Sequence, residues 1–283
     1  MLRQGNIVQT QQDVTVISAT RGWLALDFKN VWTYRELLYF LVWRDVKVRY
    51  KQTALGAAWA LLQPLAMMIV FSVFFGRLAG VPSDHVAYPL FTYAGLLPWG
   101  LFSGGVTRAT ASLVNSAPMI KKVYFPRITI PLAAVLIGLV DFGVALLLLA
   151  PLMLIYQVPL TLNVLWLPLF TLVTLAAAAG VGLWAGALNV QFRDIGYIIP
   201  FAVQLWLFIT PIAYPITLMS DEWRLIYSLN PMAGAIEGFR WALFASPSFS
   251  PALTLVSALV AFLLLITGWI YFRRVERTFA DIV

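Results

Sequence analysis

Residues 115–127 read Asn-Ser-Ala-Pro-Met-Ile-Lys-Lys-Val-Tyr-Phe-Pro-Arg, a short basic and aromatic segment bracketed by prolines and set between two long apolar runs. Lys121 and Lys122 are adjacent, Arg127 follows, and no acidic residue lies between Asp84 and Asp141. The loop therefore carries positive charge that no nearby carboxylate in the sequence compensates. Between runs long enough to cross a bilayer, an excess of Lys and Arg marks a cytoplasmic loop. The chain as a whole reads as apolar helices hung on either side of a basic cytoplasmic turn.

Composition agrees. The chain is 61% hydrophobic and 11% charged, with a mean hydropathy of +0.85, whereas soluble domains carry about a quarter charged residues. This is an all-α integral membrane protein by expectation. The net charge of +7 sits beside apolar runs and forms no solvated patch, so it reports topology and gives no reason to expect a nucleic-acid partner. With no cysteine there are no disulfides and no thiolate metal sites. The single histidine, His85, falls in an outer loop without further ligands, so no metal site is expected. The first thirty residues hold no continuous apolar stretch and no small-residue cleavage site, so they read as a cytoplasmic tail.

Six runs of about twenty residues with little or no charge predict spans at 54–75, 86–107, 128–154, 164–188, 195–216 and 251–272. With both termini inside, sixteen of the nineteen Lys and Arg fall on the cytoplasmic side, counting Arg108 with the basic loop. Arg77, Arg224 and Arg240 are left outside. The expected divisions are a cytoplasmic tail (1–32), an interface helix (33–52), a six-span domain (53–275) and a cytoplasmic C-terminus (276–283).

The interface helix rests on Thr33-Tyr34-Arg35-Glu36, which has the form of a capping box. Glu36, Arg44, Lys47 and Lys51 share an arc of roughly 80°, with Tyr34, Leu37, Leu38, Leu41 and Val48 opposite. Such a helix would lie along the cytoplasmic surface, either as a lipid anchor or as a face that a cytosolic partner pushes on. Between the fifth and sixth spans, Pro211 and Pro215 break the chain and Asn230-Pro231 opens a second apolar stretch in which Glu237 and Arg240 can pair. Re-entrant helices forming an outer gate, or a structural outer cap, would both produce this pattern.

Asp141, near the middle of the third span, is an intramembrane carboxylate and thus a candidate functional group. No Lys or Arg of a neighbouring span presents itself as its partner, and a protonated structural role is the other reading. Gly182 and Gly186, with the alanines at 176–179, give the fourth span a small-residue face for close packing within the subunit, and Gly100 and Gly104 offer the same in the second. No catalytic residue is assigned, because the carboxylates are scattered. No lysine follows a glycine, so the phosphate-binding loop G-x-x-x-x-G-K-[ST] is absent.

The 115–127 segment resembles the cytoplasmic loop signature of ABC-2 type permeases that export O-antigen, capsule and teichoic acid polymers. Similar to that family in the same order are L-G-A-A-W-A-L-L-Q-P-L at 55–65, G-L-L-P-W at 95–99 and F-R-D-I-G-Y-I-I-P at 192–200. L-N-P-M-A-G-A-I-E-G-F-R at 229–240 and E-R-T-F-A-D at 276–281 complete the set. One departure is Thr129-Ile130, where the family pattern carries an acidic residue soon after the arginine.

The resemblance implies the transmembrane subunit of an exporter in a bacterial inner membrane. It implies a homodimer bound to two copies of an ATP-binding subunit, with ATP and Mg on that partner, and a lipid-linked polysaccharide as substrate. Docking to the ATPase would fall to Asn115, Pro118, Ile120, Lys121, Lys122, Tyr124, Phe125 and Arg127, together with Glu36, Arg44 and Lys47 of the interface helix. A pathway tolerant of many sugars suits aromatic walls, since rings accept sugar C–H faces without one fixed hydrogen-bond pattern. Trp59, Phe71, Phe74, Phe91 and Tyr93, with Asp141, are the pathway candidates, and Asn230, Glu237 and Arg240 mark the outer gate helices. An ABC-2 permease for drugs or other lipids and, more distantly, an intramembrane enzyme acting on lipid-linked sugars are the alternative classes.

Overall fold

The computed structural model describes residues 28–51, 58–247 and 249–279. The expected N-terminal tail up to residue 27, the start of the first expected span at 54–57 and the last four residues of the C-terminus lie outside the described residues. Every regular element among the described residues is helical. Two short segments come first, α1 (Phe28–Thr33) and α2 (Arg35–Lys51). Next is α3 (Ala58–Phe71), whose last turns widen to π-helical spacing over Ser72–Leu78. A long α4 (Tyr88–Asn115) and the single turn α5 (Ala117–Ile120) lead into α6 (Thr129–Leu136) and α7 (Gly138–Ile155). The chain ends with α8 (Leu167–Gln191), α9 (Ile195–Ile209), α10 (Asp221–Ser228), α11 (Pro231–Phe244) and α12 (Pro251–Val275).

Among the described residues, four segments are long and apolar enough to cross a bilayer: Ala58–Leu78, Thr129–Ile155, Leu162–Gln191 and Pro251–Thr278. The shortest has 21 residues, about 30 Å of helix and a match to the hydrocarbon core. The other two expected spans stand differently. With 28 residues α4 is long, but it is the central helix, touching α3, α6, α7, α8, α9 and α11. A helix enclosed by protein is relieved of the demand for lipid-facing apolar residues, so its mean hydropathy is lower. Helix α9 is apolar but only 15 residues long, and Pro211, which cannot continue the ladder, follows its end.

Close packing around α4 depends on small residues. A Cβ on Gly182 would sit 2.7 Å from the Ala109 methyl, and one on Gly186 would sit 3.0 Å from the Ala109 carbonyl, so α8 lies directly on α4. The other side of α8 meets α12, where a Cβ on Gly180 would come within 2.5 Å of the Leu264 and Leu265 backbone. The small-residue face read from the sequence therefore packs within the subunit. Gly100, by contrast, faces open space.

Two apolar cores result. The larger surrounds α4 and includes Phe71, Tyr93, Phe102, Phe142 and Phe239. The smaller gathers Leu113, Ile120, Phe125, Ile128, Leu183, Trp269, Phe272 and Phe279, with Val31, Tyr34 and Leu37 packed against it. It ties α1 and α2, the 115–127 loop and the end of α12 into one unit at what is here termed the terminal end of the bundle.

Candidate functional site

The basic loop is built on buried feet. After α4 ends, the Ser116 N–H donates to the Ser112 and Leu113 carbonyls, and α5 turns the chain so that Ile120 enters the smaller core. Asn115 and Pro118 are exposed, as are Lys121, Lys122, Val123 and Tyr124, the last at 73%. Phe125 then turns inward and is 5% exposed. The loop thus presents a tip of two lysines, a valine and a tyrosine on an apolar base. Ile120 and Phe125 are supports and offer no contact surface.

Arg127, at the end of the loop, is anchored by Glu276. Its main-chain N–H donates to Glu276 Oε1 at 2.8 Å, and its Nη1 donates to the Glu276 carbonyl. Arg273 holds the other carboxylate oxygen at 3.1 Å. The acidic group missing from the loop's own sequence is supplied from the end of the chain, 149 residues away.

Helix α2 forms as expected, but its two-faced division does not hold. Leu41 is buried and Tyr34 and Leu37 reach the smaller core, yet Val48 is exposed, and so are the rings of Tyr39, Phe40 and Trp43. Glu36 is exposed, Arg44 pairs with Asp45 at 2.7 Å, and the Lys47 ammonium lies 5.0 Å from the Trp43 ring centre. Its C-terminal end reaches Asp141. Arg49 Nη1 donates to Asp141 Oδ2 at 2.6 Å and the Tyr50 hydroxyl donates to Oδ1 at 2.5 Å. Burial first, then this bond to the carboxylate, push the Tyr50 phenol up to about 12, so it remains a donor at any physiological pH.

Arg108 of α4 brings a second cation, 3.9 Å from Asp141. The carboxylate therefore has two arginine partners, which corrects the expectation that it has none. Arg108 Nε also donates to the Ala134 carbonyl at 3.0 Å. In a continuous helix that carbonyl accepts from residue 138, and the helix is interrupted at Ile137, between α6 and α7. A side chain inserted into the ladder is a recognised cause of such a break. Glycines clear its path: a Cβ on Gly138 would lie 2.5 Å from Arg108 Nη2, and one on Gly104 would lie 2.9 Å from Nη1.

At the far end, near the start of α4, a second carboxylate and arginine meet. Arg240 is 0% exposed. Its Nη1 donates to Glu237 at 3.0 Å and to the Pro211 carbonyl at 2.8 Å, and its Nη2 donates to the Ile212 carbonyl at 2.8 Å. Its guanidinium carbon lies 3.5 Å from the Phe91 ring centre, a cation–π contact. The two carbonyls belong to the stretch just after α9 where the chain breaks. Asn230 caps α11 by accepting from the Met232 N–H at 3.0 Å, accepts from Trp206 and donates to Thr210, so it ties α11 to α9.

Of the aromatic candidates, Trp59 and Phe74 lie on the exposed face of α3. Phe71 and Tyr93 are buried in the larger core, with the Tyr93 hydroxyl donating to the Ala145 carbonyl at 2.7 Å, and Phe91 is buried against the Arg240 guanidinium. Side chains spent on internal packing offer no surface to a passing polymer, so these three are reassigned from the pathway to the core.

An ABC-2 type transporter family model matches residues 36–244. The chain belongs to the ABC-2 type transporter family. It is 30% identical over 254 residues to the O-antigen export system permease protein RfbA of Myxococcus xanthus, covering 88% of this chain and 96% of that one. It is 27% identical over 249 residues to the protein of the same name from Klebsiella pneumoniae, covering 88% and 95%. With the polysialic acid transport protein KpsM of Escherichia coli it shares 24% identity over 200 residues, covering 69% and 76%.

Proposed function

We propose that this chain is the transmembrane subunit of an ABC exporter that moves a lipid-linked polysaccharide such as O-antigen across a bacterial inner membrane, driven by a separate ATP-binding subunit. The observation that carries this reading is the near full-length similarity to two O-antigen export permeases. In it, the four long apolar segments are joined by α4 and α9 to make six crossings, with both termini and the basic loop cytoplasmic. Two copies of the chain associate and bind two ATP-binding subunits, which carry the ATP and Mg. The exposed tip Lys121–Tyr124 is the docking point, and Trp59 and Phe74 are the pathway aromatics on a surface open to substrate.

The reading has a mechanical form. A push at the terminal end meets a loop and a helix, α2, that share one apolar core. The end of α2 grips Asp141, and Asp141 faces Arg108 beside the break at Ile137. Displacement of α2 is thereby passed to the two transmembrane segments that flank the loop.

Replacing Lys121 and Lys122 with Glu tests the docking point. Both are exposed, and stability is expected to change by no more than about 0.5 kcal/mol. The ATPase activity recovered with a tagged chain, and surface polymer, are both expected to be lost. Retention of both would overturn the assignment. Deleting the gene is expected to abolish surface glycan. Unchanged glycan with increased drug sensitivity would support the drug-permease class instead.

A further inference from the structure

We infer that the C-terminal turn, through Glu276 and Phe279, is a strap that fixes the docking loop, making Glu276 a positioning residue for the coupling of ATP hydrolysis to export. This rests on the loop being the docking point. The chain's last described turn, Glu276–Thr278, leaves the end of α12 and runs against the base of the loop. Phe279 is fully buried there, edge-on to Phe272 at 5.3 Å between ring centres, in the core that also holds Ile120 and Phe125. These last two are the residues immediately before and after the exposed tip.

Glu276 makes the polar half of the strap. One carboxylate oxygen takes the Arg127 main-chain N–H, the other takes Arg273, and the Glu276 carbonyl takes the Arg127 guanidinium. Arg127 is the last residue of the loop. Next to it, the Pro126 carbonyl accepts from both the Thr129 hydroxyl at 2.7 Å and the Thr129 N–H at 3.1 Å, which starts α6. A carboxylate holding a main-chain N–H and an arginine forms charge-assisted bonds, roughly twice as strong as neutral ones.

A loop whose tip is free but whose two ends are clamped moves as one body with α6 and α12. Without the strap, a push on Lys121–Tyr124 would bend the loop and dissipate before reaching either helix. The strap also joins the last transmembrane segment to the loop between the second and third expected spans, a link that no sequence-local contact provides. The motif E-R-T-F at 276–279 acquires a purpose from this: the carboxylate and the ring are its two attachment points.

The test uses cells in which the native copy is replaced by a tagged variant. Surface polymer, chain abundance in membranes and the ATP hydrolysis recovered with the tag are measured together. Glu276→Ala is expected to keep the recovered ATP hydrolysis while surface polymer per ATP hydrolysed falls about tenfold, the scale of losing charge-assisted bonds. Glu276→Gln, which retains an acceptor for the Arg127 N–H, is expected to recover most of the loss, and Phe279→Leu to recover more than Phe279→Ala.

Wild-type polymer from Glu276→Ala would overturn the proposal. So would loss of the recovered ATP hydrolysis, which would make the turn part of the docking surface. Should Glu276→Ala fail to accumulate, Arg127→Lys at normal abundance carries the test, since it keeps the main-chain bond and removes the guanidinium. Its polymer per ATP is expected to fall, and an unchanged ratio would overturn the strap. If the Lys121 and Lys122 replacements leave ATPase recovery and polymer intact, the docking reading fails, irrespective of what Glu276 does.

Discussion

The two ends of α4 are each held by arginine and carboxylate, and they are held in opposite ways. At the far end, Glu237 and Arg240 are sealed from solvent, lie on the same helix, and the two terminal guanidinium nitrogens also donate to the Pro211 and Ile212 carbonyls. Toward the terminal end, Asp141 draws its partners from two other helices, and the Arg49 side chain is 45% exposed. A buried pair whose every contact is internal has one arrangement, because any displacement leaves a charge unpaired in a medium that cannot solvate it. A pair shared between separate helices, with one partner half-exposed, is held by fewer internal contacts and parts more readily when those helices shift. The same chemistry thus makes a fixed corner at one end and a movable joint at the other.

The largest effect is expected of Arg240→Ala. It strands a buried carboxylate and frees two carbonyls, and removing one partner of a buried pair costs about 3–5 kcal/mol. A large loss of thermal stability in detergent is expected, with export lost through lack of folded protein. The combined Glu237→Gln and Arg240→Met replacement should recover much of that stability. If Arg240→Ala melts with the wild type, the far end is no fixed corner and the contrast fails.

Asp141→Asn is the corresponding break at the joint, with a smaller effect on stability. The carboxamide still accepts from Arg49 or Tyr50 but no longer balances two arginines, and loss of a charged hydrogen bond costs about 1.5–3 kcal/mol. The chain is expected to fold and to retain its ATPase, while surface polymer per ATP falls about tenfold on that energetic scale. Equal export from this variant would show that Asp141 only fills space.

How far the sequence could foresee these two regions depends on the range of the interaction. The Glu237 and Arg240 pair was legible because three residues separate them, and helical spacing puts such positions on one face. Four of the six expected spans were legible because hydropathy is a local sum. Arg49 as a partner of Asp141 and Glu276 as a partner of Arg127 were not, since they come from 92 and 149 residues away. The burial of Phe71, Phe91 and Tyr93 was illegible for a related reason. In an apolar helix the protein-facing and lipid-facing sides have the same composition, so periodicity cannot tell a core ring from a pathway ring. The mixed exposure of α2 has a similar origin, because its rings at 39, 40 and 43 point away from the smaller core.

Tyr50→Phe is expected to have the smallest effect at the joint. It deletes one of the bonds to Asp141 and leaves Arg49 and Arg108 in place, a loss of about 1 kcal/mol for a single hydrogen bond. Export is expected to fall only slightly, unlike that of Asp141→Asn, because charge balance is untouched. The pH dependence has a definite sign. The phenol is raised from 10.0 to about 12 in the fold, so its contribution is complete below pH 10 and is lost as pH rises through the folded value. A tyrosinate absorbance titration should therefore lose one group titrating near 12 in the variant, and stability between pH 10 and 12 should fall less steeply. If the two titrations coincide, Tyr50 does not hold Asp141, and the joint rests on arginine alone.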